Sequence, residues 1–182
     1  MSFKTLEYIS IDIETMHLTD DQIEFESQFL THRKGTKDPE KIKAQILKKK
    51  ADLVEMGAVK DSSTIASIGI HSDTINPHVV HHFPYHEELD HVEHTACKNE
   101  AEMLSTLTIF LDDKCTEETV IVVAGKGFDL PKIRLSSIKN RVKFPNCMMP
   151  GNNPVYDLLY MGGKYFMTGS SAQHNVSVSE LL

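Results

Sequence analysis

Asp12 and Glu14 stand two residues apart in YISIDIET, Tyr8 to Thr15, where an alternating apolar run predicts a strand. On such a strand Ser10, Asp12 and Glu14 share one face, and Ile9, Ile11 and Ile13 share the other. Like charges at that spacing repel. A half-buried carboxylate also costs free energy unless something positive sits beside it. A third acid, Asp129, follows the apolar run TVIVVAG in the stretch GKGFDLP. Ligand sites in open α/β sheets gather at strand ends, so Asp129 can join Asp12 and Glu14 if their strands are neighbours. Three carboxylates around one point suit Mg²⁺ or Mn²⁺, which take oxygen ligands, keep some water and complete their shell with phosphate. Two such ions about 4 Å apart activate a water and stabilise the leaving oxygen of a phosphodiester. A DxE on a strand also arises by chance, and Asp129 can simply cap a helix beginning at Leu130. The weight lies in the combination.

The elements that must position these acids are legible in outline. The first strand spans about Leu6 to Glu14. DPEKIKAQILKKKADLVEMG reads as a helix, with Pro early in its first turn and Gly at its end. Ser63 to Ser72, STIASIGIHS, is rich in β-branched residues and predicts a second strand. Asn76-Pro77 marks a turn before a third, His78 to Phe83. Asn99 predicts an N-cap, and Met103, Leu104, Leu107 and Leu111 repeat at helical spacing behind it. TVIVVAG, Thr119 to Gly125, fits a strand covered on both faces. LPKIRLSSIKNR then opens a helix with Pro131 in its first turn, and NPVYDLLYM predicts a short strand passing into a helix. Three hairpin-like strands, a helix, a buried strand and another helix make a mixed central sheet flanked by helices, an α/β architecture.

Length and composition narrow the classes. A chain of 182 residues suits one domain, here with a charged helical insertion at about 31–60. No apolar run reaches a membrane span, and MSFKTLEY lacks a signal-peptide core, which points to a cytoplasmic protein with no membrane partner. Cys97, Cys115 and Cys147 are odd in number and lack CxxC spacing, favouring reduced thiols, and Cys147 beside Met148 and Met149 reads as packing. The net charge of −7 argues against a generally basic nucleic-acid coat but leaves room for local basic stretches. One is Lys126, Lys132, Arg134, Lys139, Arg141 and Lys143, and the other, KIKAQILKKK, reads first as a solvated helix face. The histidines of HVVHHFPYHEELDHVEH follow no zinc-ligand spacing, though His91 and His94 would share a helix face. No GxxxxGK[ST] or GxSxG is present, which removes the P-loop and α/β-hydrolase readings.

ISIDIET resembles the first motif of the DEDD, or DnaQ-like, 3′–5′ exonucleases, whose DxE lies on the first strand of a ribonuclease H-like fold. VIVVAGKGFDLPKIRLSSIKNR resembles their second motif, in which FD closes a strand and LP with a basic residue opens a helix. ADLVEMGAVKDSSTIASIGI, NEAEMLSTLTIFL and VYDLLYM are similar to further stretches of phage-type members. The likeness runs through nearly the whole chain, on short motifs. It implies a ribonuclease H-like exonuclease fold and metal-dependent hydrolysis of terminal phosphodiesters of DNA or RNA, with the 3′ end of a single strand as partner. It implies a two-metal Mg²⁺ or Mn²⁺ site on Asp12, Glu14 and Asp129, with Thr15 near the terminal nucleotide and Met16 or Leu18 wedged against its base. Lys126 and Lys132 are the substrate-contacting lysines, and Phe128 belongs to the core. A phage-type member would act in the bacterial host cytoplasm.

Two departures qualify the likeness. The second motif usually has an Asn where this chain has Gly125 or Lys126. The third motif, HxxxD or YxxxD, supplies a general base and a fourth metal-binding Asp, and no Asp follows Asp157. SVSELL resembles the segment preceding that last helix. Glu180 and His174 lack the motif's spacing, and Asp157 reads as a structural residue at a strand–helix junction. The alternative function is therefore a weak or inactive exonuclease-fold module that binds nucleic acid, a protein partner or a second copy of itself.

Overall fold

A computed structural model describes residues 8–55, 57–72, 74–83, 91–123 and 127–158. Contacts within the chain define two compact units, Thr15–Thr64 and the remainder.

The larger unit is organised by a sheet. The YISIDIET alternation forms β1 (Tyr8–Thr15), with Ile9, Ile11 and Ile13 buried and Asp12 and Glu14 exposed. β2 (Ile65–Ser72), β3 (Ile75–His81), β4 (Glu93–Ala96), β5 (Val120–Val123) and β6 (Val155–Asp157) complete the strands among the described residues. Their order is β4-β3-β2-β1-β5-β6. β5 runs parallel to β1, from Tyr8 opposite Val120 to Ile11 opposite Val123, and β6 runs parallel to β5. β3 is antiparallel to β2, and β4 is parallel to β3. The chain is thus α/β with a mixed six-stranded sheet, the class its sequence predicts.

Two sequence expectations need correction. Asn76-Pro77 lies inside β3 rather than in a turn before it. The β2–β3 register breaks between Ile70 and Ser72, so two β3 residues stand opposite one, and the β4 ladder begins only at His78. Proline lacks an N–H, and a bulge is where a strand tolerates that. Second, His91 and His94 share no helix: His91 has φ 73, and His94 lies in β4.

Among the described residues, α3 (Glu100–Lys114) and α4 (Asp129–Asn140) pack in this unit. α3 buries Met103, Leu104, Leu107 and Leu111, the stripe read from the sequence. Those side chains join Ile9, Ile11, Ile13, Ile68 and Val80 in one core. Each such residue is worth about 1.5–3 kcal/mol when fully buried, which is what holds the helix on the strands. Asn99 caps it by accepting from the Glu102 N–H at 2.9 Å. Glu100 ties three elements: it accepts from the Ile65 N–H at 2.8 Å and from Asn140 Nδ2 at 2.7 Å. α4 leads from β5 toward β6, a crossover between parallel neighbours.

The smaller unit holds α1 (Asp20–Ser27), α2 (Pro39–Glu55) and a 3₁₀ turn (Gly57–Val59). α1 is opened by a capping box. The Gln22 N–H donates to Thr19 Oγ1, and the Thr19 N–H donates to Gln22 Oε1. α1 buries no residue and α2 only Leu53, while Lys41, Lys43, Lys48, Lys49 and Lys50 stand exposed. That run is a solvated face, with Lys49 donating to the Thr31 carbonyl.

Candidate active site at the end of the central strand

Parallel pairing sets the C-terminal ends of β1, β5 and β6 at one edge of the sheet. Asp12 and Glu14 lie at that end of β1, past the last β5 pair at Ile11. Asp157 ends β6 opposite Val123, and Leu158 is already helical, so Asp157 occupies a strand–helix junction. Asp129 is the first residue of α4, six positions beyond the end of β5.

Asp12 and Glu14 keep the shared face that strand periodicity requires. Burial pushes the Asp12 carboxyl above its ordinary range, against a smaller opposite pull from the Ile13 backbone. Burial also raises Glu14, and the charge of Asp12 raises it further. Each carboxylate is thus harder to ionise than in water, and a nearby cation would relieve both effects. Beside them, Ser10, Asp12, His71, His78, Val79 and Val122 line a groove of about 330 Å³. Its wall is mostly apolar, with Asp12 as its acid. Val122 is only half-buried there, so β5 is closed on one face and open on the other, short of the two-sided cover its apolar run predicts.

Asp129 is buried, 4% exposed. Phe128, not Asp129, holds the N-cap position, and its side chain makes no capping hydrogen bond. The Asp129 carboxylate at N1 is favoured by the helix dipole. Lys132 lies one turn further along α4 and is 3% exposed, withdrawn from the surface where a lysine meets phosphate. Phe128 packs against the core, as its sequence position predicts. Lys126, Gly125, His174 and Glu180 lie outside the described residues.

The residues read as nucleotide contacts belong to the smaller unit. Thr15 Oγ1 donates to the Ala58 carbonyl at 2.7 Å, and the Met16 N–H donates to the Thr64 carbonyl at 2.8 Å. Leu18 is 7% exposed, and a Cβ built on Gly57 would fall 2.9 Å from its Cγ. Gly57 is therefore needed for close approach, and Leu18 serves the interior of its unit. Met16 remains half-buried.

Sequence reading missed His71 as part of the groove beside Asp12. His78 Nε2 contacts Thr95 Oγ1 at 3.0 Å, and its Nδ1 lies 3.5 Å from Glu93. The alternation of β2 was the available signal for His71, which lies on the face away from Ile68 and Ile70, whereas His78 pairs with Ile70 and turns toward α3, its ring 5.6 Å from that of Phe110. Among the described residues no three or more His, Cys, Asp or Glu are grouped so as to hold a metal ion, Asp12, Glu14 and Asp129 included. The Asp12–Glu14 pair, with its raised pKa values and all-oxygen donors, nonetheless has the chemistry of a partial Mg²⁺ or Mn²⁺ ligand set.

The chain matches no protein-family model and no curated protein.

Proposed function

We propose that the chain is a metal-dependent 3′–5′ exonuclease with a ribonuclease H-like fold, acting on the terminal phosphodiester of DNA or RNA. The observation carrying this reading is the acid pair on the open face of β1, at the edge where the parallel strands end. The mixed sheet, with β1 between an antiparallel-paired β2 and a parallel β5, is compatible with that fold.

Asp12 and Glu14 would hold the ions, with Asp129 the third ligand named by the motif resemblance. When bound, Mg²⁺ or Mn²⁺ lowers the pKa of a coordinated water and neutralises charge on the leaving oxygen. The protein's own part is to hold two carboxylates side by side on one face of a strand. Ile9, Ile11 and Ile13 anchor that strand from behind. Val79 and Val122 give the groove beside Asp12 an apolar wall. Binding of a single strand would rest on phosphate contacts and stacking, without sequence readout.

No HxxxD or YxxxD follows the second motif in the sequence. Loss of a general base alone lowers rates by about 10²–10⁴-fold. That favours the second reading, a weak or inactive module that binds nucleic acid. One experiment separates them: incubate the chain with a 3′-labelled single strand and Mg²⁺ or Mn²⁺. Slow shortening, faster with Mn²⁺ and absent in Asp12→Ala, supports the exonuclease. Strand binding without shortening in either ion supports the module. Neither binding nor shortening defeats both.

A further inference from the structure

A second cavity, of about 650 Å³, lies at the C-terminal end of α3 and takes no part in the proposed site. Its wall includes Asp112, Cys115, Asn146, Cys147 and Asn153. Cys115 caps α3, its N–H donating to the Leu111 carbonyl at 2.9 Å. Cys147 sits in a 3₁₀ turn, Asn146–Met148, and is 5% exposed. Asp112 staples the two elements together. One of its oxygens accepts from the Asn146 N–H at 3.0 Å, and the other is 2.7 Å from Lys143 Nζ. Both thiols line this cavity, and their mutual interaction is the first cause of the opposite pKa shifts of the two.

We propose that Cys115 and Cys147 form a reversible intrachain disulfide when the protein meets hydrogen peroxide. This does not depend on the exonuclease reading. Three observations converge on it: two thiols lining one cavity, a cavity large enough for peroxide, and a carboxylate staple that holds their two elements together.

Their interaction divides the roles. It lowers the pKa of Cys147 and raises that of Cys115, which burial raises further. The Cys147 thiolate therefore attacks one peroxide oxygen, breaking the O–O bond. The sulfur is oxidised to sulfenic acid, and the departing hydroxide takes up a proton to become water. Cys115 then attacks the Cys147 sulfur, the S–O bond breaks, and the thiol proton leaves with the hydroxide as a second water. Two thiols and one peroxide become one disulfide and two waters. A metal at the same place is less well served, because zinc asks for four ligands and Asp112 is already engaged by Lys143 and Asn146. Cys97 stands apart, with its sulfur 3.8 Å from Thr106 Oγ1 and its thiol raised by burial, so it should react last.

The test uses the full chain treated with hydrogen peroxide. Thiols are then titrated after unfolding, the intact mass is recorded, and peptides are mapped without reduction. The expected result is loss of two of the three thiols, a monomer about 2 Da lighter, and a Cys115–Cys147 peptide that dithiothreitol separates. Cys97→Ser should behave identically, and Cys115→Ser should leave a Cys147 sulfenic acid trapped by a 1,3-dione. Because the wild-type mapping needs no variant, a folding defect in either substitution leaves the test intact. A link through Cys97, a link between chains, over-oxidation of Cys147 without a bridge, or survival of all three thiols would each overturn the proposal.

Discussion

On β1 the even and odd positions have opposite fates. Ile9, Ile11 and Ile13 vanish into a core shared with α3, while Ser10, Asp12 and Glu14 line an open face. The same eight residues therefore carry stability on one side and chemistry on the other. Strand geometry is what permits this, since neighbouring side chains never compete for one environment. A helix of equal length would have spread both sets around its circumference. The contrast teaches that an acid pair can be kept in an unfavourable setting when its own strand is anchored from behind.

The comparison can be broken by substitutions on alternate residues, measured by denaturant unfolding. Ile11→Ala should have the largest effect, a loss of about 2–5 kcal/mol, because it opens a cavity among fully buried side chains. A loss below 1 kcal/mol would mean that the inner face is not what anchors β1. Ser10→Ala should cost less, about 0.5–1 kcal/mol, through its 3.2 Å hydrogen bond to the His71 carbonyl.

Asp12→Asn should be smallest and opposite in sign. The folded-state pKa values of Asp12 and Glu14 are raised, so ionising them opposes folding. Their contribution is most favourable below the ordinary values of 3.8 and 4.5, and it is lost as pH rises through the higher folded-state values. Asp12→Asn should therefore gain a few tenths of a kcal/mol at neutral pH, held small by solvent screening, and nothing at pH about 3. A loss at neutral pH would show that the carboxylate stabilises the fold, and the contrast between the faces would fail.

Much of this was legible beforehand. Met103, Leu104, Leu107 and Leu111 announce α3 by spacing alone, Asn99 announces its cap, and YISIDIET separates its acids from its isoleucines. α1 was overlooked although Thr19 and Gln22 spell a capping box, because no apolar stripe follows them. β4 was overlooked because Glu93–Ala96 is short and polar, and it becomes a strand only by pairing with β3.

By itself, then, the sequence determined the α/β class, the face shared by Asp12 and Glu14, and the helix stripe that meets the strands. These follow from local periodicity, which needs no knowledge of partners. Tertiary structure alone decided that Pro77 sits in a bulge, that Lys132 is buried, that Leu18 packs beneath Gly57, and that Cys115 and Cys147 share one cavity. Each of these depends on which distant segment lies alongside. That is set by the sum of many burials across the fold and by no residue's own preference.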